Sequence, residues 1–135
     1  MLKKLDHIGI VVKNIDEVLS AYQGGLGMKV AHREVVESEA AEVAFLPLGE
    51  TRLELLEPKG AGGVLPRFLE KRGPGIHHLC FEVDDVRAAL AALRAAGVPL
   101  VDEAPRPGAE GCQVAFVHPK GTGGVLIELS EKKHE

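Results

Sequence analysis

The chain has only two cysteines, Cys80 and Cys112, and no Cys-x-x-Cys pair. That leaves neither a zinc ribbon nor a dithiol redox motif. Both lie in apolar runs, where reduced thiols are ordinarily buried, and a reducing compartment is expected. No stretch approaches the ~20 apolar residues of a membrane helix. The opening MLKKLDHIGI has neither the apolar core nor the small-residue cleavage site of a signal peptide. The expectation is a cytoplasmic protein with no membrane partner. No lysine–arginine run occurs, and 16 basic against 20 acidic residues give a formal charge of −4. Nothing there would attract nucleic acid. Also missing are HExxH, the P-loop, GxGxxG and the GxSxG nucleophile elbow.

What is present is an ordinary globular composition, 45% apolar and 27% charged over 135 residues. That suffices for one domain with a packed core. Its main feature is self-similarity. A shift of 71 residues lays His7 on His78 and HIGIVVKNIDEVLSAY on HLCFEVDDVRAALAAL. Each copy reads as a strand followed by a helix. Asn14 with Glu17 forms a capping-box pattern before Ile15, Val18, Leu19 and Tyr22, and Gly24–Gly25 ends that helix. Asp84 or Asp85 caps the second helix, with Val86, Ala89, Leu90 and Leu93 at helical spacing and Gly97 at its end.

Period-two runs follow each helix: KVAHREVV, AEVAFLPL and TRLELLE in the first copy, VPLVDE, CQVAFVH and GVLIELS in the second. The expected fold is α+β, with two tandem βαβββ modules in a single domain spanning residues 1–135. The first module covers about 4–58, a linker with a short helix about 59–74, and the second module about 75–131.

Alternation along the strands sorts the side chains. Ile8, Ile10 and Val12 in one copy, and Leu79, Phe81 and Val83 in the other, should pack under the helices. His7 and His78 then lie on the opposite face, and His77 does not. In the last strands Leu53 and Leu55, and Val125, Ile127 and Leu129, face the helices, leaving Glu54 and Glu128 opposite. Each module thus supplies one imidazole and one carboxylate, 47 residues apart in the first and 50 in the second. Two histidines and two glutamates suit a divalent ion of borderline hardness, from zinc, cobalt, nickel and iron towards manganese and magnesium, with two octahedral positions left open. In AAEVAFLPL, reading Val43 and Phe45 as the apolar face allows Glu42 to face the same site.

LDHIGIVV, VAFLPLGETRLELLEP, GIHHLCFEVDD and GCQVAFVHPKGTGGVLIEL together resemble the vicinal-oxygen-chelate (glyoxalase-like) superfamily over essentially the whole chain. Within it they resemble the methylmalonyl-CoA epimerase family, most specifically in GIHHLCFEV and HPKGTGGVLIEL. The resemblance implies paired modules forming a curled mixed sheet around one metal ion held by His7, Glu54, His78 and Glu128. The second ligand is glutamine in some members and Glu54 here. Co2+ is the first expectation, with Zn2+, Mn2+, Ni2+ or Mg2+ as alternatives. The resemblance further implies a homodimer, a CoA thioester substrate and inversion at C2 of methylmalonyl-CoA through a metal-stabilised enolate. Glu42 and Glu128 would carry protons on opposite faces. The glycine-rich segments 105–111 and 118–124 would border the thioester entrance. Two other readings share the fold: a glyoxalase I-like lactoylglutathione lyase, and a non-catalytic small-molecule-binding protein. His32, His77, His118 and His134 have no paired glutamate in the other module and are left unassigned.

Overall fold

The computed structural model describes residues 1–133, so His134 lies outside the described residues. In the first module β1 (Leu2–Val11) leads into α1 (Ile15–Leu19), then β2 (His32–Val36), β3 (Ala41–Leu48) and β4 (Thr51–Pro58). A linking helix, α2 (Val64–Arg72), precedes the second module. That module runs β5 (Gly75–Val83), α3 (Val86–Ala95), β6 (Arg106–Pro107), β7 (Gln113–Val117) and β8 (Ile127–Glu131). The chain is α+β, and its two tandem modules are each βαβββ. Among the described residues no helix is long and apolar enough to cross a membrane.

The chain divides into two compact units, one of His7–His77 and one of Met1–Asp6 with the residues from His78 onward. In the first, the strand order is β2-β3-β4-β1, with β1 parallel to β4 and the other pairs antiparallel. In the second it is β5-β8-β7-β6, with β5 parallel to β8. The opening residues of β1 belong to the second unit. There Lys3 meets Glu82 at 3.5 Å and Asp6 meets Lys132 at 2.7 Å.

Each helix starts where its cap dictates. Asn14 accepts from the Glu17 N–H at 3.0 Å, and Asp85 accepts from the Ala88 N–H at 3.1 Å, both as expected from the sequence. The first helix does not stop at Leu19 but widens into a π-helical segment, Ser20–Gly25. A second brace, not expected from the sequence, recurs in both modules. Glu57 at the end of β4 accepts from the Ile15 N–H at 2.8 Å, and Glu131 at the end of β8 accepts from the Val86 N–H at 2.9 Å. Each carboxylate thus meets a backbone donor that the first helical turn leaves without an internal partner.

The cores match the period-two reading in outline. Val12, Ile15, Ala44, Leu46 and Leu55 form one buried cluster, supported by Ile10, Val18, Leu19 and Leu53. Val83, Val86, Ala89, Leu90, Ala115, Val117 and Leu129 form the other, supported by Phe81 and Ile127. Cys80 and Cys112 are buried thiols with no disulfide between them.

Three local expectations are corrected. VPLVDE is not a strand. Only Leu100 makes an isolated bridge, to Val117, and the short strand is Arg106–Pro107 instead. Pro99 interrupts the donors needed there. Strand β8 begins at Ile127, so Val125 precedes it and is 40% exposed rather than packed under a helix. Finally, Val43 and Phe45 do not form the helix-side face of β3. Ala44 and Leu46 do, lying opposite Leu55 and Leu53. Both faces of β3 are apolar, so its alternation carried no parity signal.

Candidate functional site

In the first module His7 and Glu54 share one face of the sheet. β1 sets His7 beside Arg52 and Gly9 beside Glu54, all on the side away from the core cluster of Ile10, Leu53 and Leu55. His7 Nδ1 lies 3.0 Å from Glu54 Oε2, and both residues are 4% exposed. The second module repeats the arrangement. β5 sets Cys80 beside Glu128 and Phe81 beside Leu129. His78 Nε2 lies 2.9 Å from Glu128 Oε1, with the two residues 4% and 5% exposed. His77 has the other parity; its ring meets the Phe68 edge at 5.0 Å, a packing contact with α2.

Burying a carboxylate and an imidazole costs more than burying apolar residues of the same size, even when they pair. Such a pair in each module points to a function other than packing. The donor set also fits a cation. Two cis ligands at about 2.1 Å from one octahedral ion are about 3.0 Å apart, and the pairs measure 3.0 and 2.9 Å.

An aromatic ring backs each glutamate. Phe45 on β3 lies opposite Glu54, and Phe116 on β7 lies opposite Glu128. A guanidinium covers each ring: Arg52 at 4.6 Å from the Phe45 centroid, Arg106 at 5.2 Å from that of Phe116. His32 stacks on Phe45 at 5.4 Å, and His78 meets Phe116 edge-on at 5.7 Å. Arg52 also donates from Nε and an NH2 group to Glu54 Oε2, at 2.9 and 2.8 Å. Sequence reasoning missed Arg52, although its place two residues before Glu54 puts it on the same strand face.

Glu42 does not join this face. Its strand partner is Glu57, on the helix-bearing side with Leu53 and Leu55. Arg33 Nε reaches Glu42 at 2.9 Å and Lys59 Nζ at 3.3 Å, while Arg33 also binds Asp16 of α1 at 2.8 Å. Hydrogen bonds to Asp16 and then Glu42 raise the pKa of Arg33, and hydrogen bonds to Glu57 and then Glu42 raise that of Lys59. The Ile15 N–H, and then Lys59, hold the Glu57 carboxyl below its ordinary value against the opposing effect of burial. Glu42 thus belongs to a buttress between the sheet and α1. Its neighbour Val43 takes the site-side position, so the placement expected for Glu42 is off by one residue and one face.

A βαβββ duplication with a buried histidine and glutamate in each copy defines the class of protein. Residues 6–116 match the Glyoxalase/Bleomycin resistance protein/Dioxygenase superfamily, and the chain belongs to it. Within that superfamily the chain is similar to methylmalonyl-CoA epimerases. It is 38% identical over 130 residues to the mitochondrial methylmalonyl-CoA epimerase of Dictyostelium discoideum, covering 96% of this chain and 78% of that protein. The crystal structure of methylmalonyl-CoA epimerase from Mycobacterium tuberculosis superposes with a TM-score of 0.93 at 38% identity, covering 98% and 90% of the two chains. A methylmalonyl-CoA epimerase in complex with methylmalonyl-CoA and NH4+ does so with a TM-score of 0.93 at 36% identity, covering 98% and 96%.

Proposed function

We propose that the protein is a methylmalonyl-CoA epimerase, interconverting the 2R and 2S thioesters by removing and returning the proton at C2. The observation that carries the reading is the repeated buried His–Glu pair, 3.0 Å apart in one module and 2.9 Å in the other. Its support is a similarity to epimerases that runs nearly the full length of the chain.

His7, Glu54, His78 and Glu128 would hold one divalent ion, with Co2+ the first candidate. When bound, such an ion supplies positive charge that stabilises the thioester oxygen as the C2 proton leaves. Glu128 is assigned the proton transfer on one face of the planar enolate: a buried carboxylate backed by Phe116 and oriented by His78; inversion requires a second proton donor on the opposite face, to which no residue is assigned. Arg52 gives Glu54 a different task, fixing it in one orientation through two contacts from its guanidinium to Oε2. Glu42, paired with Arg33 and Lys59 on the other face, is assigned no proton transfer. A homodimer in the cytoplasm completes the proposal.

The test is incubation of the metal-loaded protein with single-isomer methylmalonyl-CoA in deuterated water. Inversion with deuterium at C2, abolished by a chelator, is the expected result. A metal-replete sample that neither inverts nor exchanges would refute the reading.

A further inference from the structure

Inversion needs a proton carrier for each face of the planar carbon, and Glu128 serves only one. The strand register of the first module shows what else its site face offers. Residues paired across strands share a face, and three such rows lie here. They are His7, Arg52 and Pro47; Gly9, Glu54, Phe45 and His32; and Val11, Leu56, Val43 and Glu34. The alternate residues of β2, Arg33 and Val35, pair with Ala44 and Glu42 on the helix side, consistent with the contact from Arg33 to Asp16. Among the polar side chains in these rows, His7 and Glu54 are the proposed ligands, and Arg52 stays charged at any working pH. His32 and Glu34 remain.

These two form a dyad on β2, the outer strand of its unit. His32 Nε2 lies 3.1 Å from Glu34 Oε1. The imidazole stacks on Phe45, with centroids 5.4 Å apart and planes 20° from parallel, and Phe45 lies beside Glu54. A carboxylate and an aromatic floor therefore fix the ring, yet its side chain is 50% exposed. An imidazole held by a carboxylate and open to water is suited to moving protons near neutral pH. Glu34 occupies Nε2, so Nδ1 is the nitrogen that faces exchange.

We infer that His32, oriented by Glu34, carries the second proton through one water, to and from the face of C2 opposite Glu128. The inference rests on the epimerase reading above. Two strands separate His32 from Glu54, about 10 Å between backbones, and one water closes the gap left between ring and substrate. In one direction Glu128 takes the C2 proton, and the C–H electron pair moves into the enolate. The water gives a proton to the opposite face, forming the new C–H bond, and takes its replacement from the His32 imidazolium. Glu128 then releases its proton to solvent and His32 regains one, so the cycle closes without net change. In the other direction His32 draws the proton through the water and protonated Glu128 supplies one.

The test follows each isomer of methylmalonyl-CoA in deuterated water with the intact, cobalt-loaded protein, inversion by circular dichroism and deuterium by mass spectrometry. His32→Gln should keep the parent's cobalt content and lower inversion about 100-fold or more, with KM within about threefold. The isomer whose proton faces Glu128 should still take up deuterium with its configuration kept; the other isomer should not. Imidazole added to His32→Ala should restore inversion at least about tenfold, a rescue that a packing role would not show. Inversion by His32→Gln within about threefold of the parent would overturn the inference, and so would equal loss of exchange from both isomers. Failure of the parent protein to invert is a separate result: it refutes the epimerase reading, and the role of His32 falls with it.

Discussion

In the first module the glutamate beside the histidine is gripped by Arg52 from two residues earlier on the same strand. In the second module the corresponding residue before Glu128 is Leu126. Much else is duplicated: the His–Glu pair, the phenylalanine opposite the glutamate, an arginine over that ring, and a second glutamate three residues on that braces the helix. ELLE and ELSE carry this last device, one glutamate for each face of the strand. The duplicated parts fit the requirement common to both modules, ligands for a cation. The part that differs supports the unequal tasks proposed above, a fixed orientation for Glu54 and proton transfer for Glu128.

The sharpest way to break the comparison is to remove each carboxylate. Glu128→Gln should lower C2 deuterium exchange by about 10²–10⁴-fold and Glu54→Gln by clearly less, both read by mass spectrometry of the recovered thioester. Equal losses would end the division of tasks. Next in size is the copy of one module onto the other. Arg52→Leu should weaken metal binding about 10–100-fold by releasing Glu54 from its fixed orientation, as measured by competition with a chromogenic chelator.

Smaller effects are expected on the helix side. Glu42→Gln should leave exchange within about threefold and cost at most ~1 kcal/mol of stability, because its ion pairs are partly exposed. A collapse of exchange in a folded, metal-loaded Glu42→Gln protein would return that residue to the chemistry. The smallest effect concerns pH. Glu57 has a depressed carboxyl pKa in the fold, so its contribution is present above the unfolded value near 4.3 and lost as pH falls through the lower folded value. Glu57→Gln should therefore cost about 1 kcal/mol at pH 7, with the gap to the parent protein closing below about pH 4 in urea titrations. A gap independent of pH would remove the carboxylate from that account.

The fold was legible because it is written twice. In β1 and β4 the residue types alternate although both faces are covered, Ile8, Ile10, Leu53 and Leu55 against His7, Gly9, Arg52 and Glu54, so the faces of His7 and Glu54 could be read before any coordinates. Strand β3 could not be read that way: Val43, Ala44, Phe45 and Leu46 are all buried, and alternation disappears when both faces carry apolar residues. The misplacement of Glu42 follows directly. The arginine partners were hidden for another reason. Arg52 was visible by parity once Glu54 was singled out, whereas Arg106 depends on a two-residue strand that no periodicity marks.

The most direct test of the central claim is the cobalt stoichiometry of the protein and of its single-histidine variants. One Co2+ per chain, lost on changing either His7 or His78 to alanine and kept in His77→Ala, is what a cation shared by both modules requires. Two ions per chain, or retention of one after either loss, would mean that each His–Glu pair acts alone, and the shared centre would be wrong.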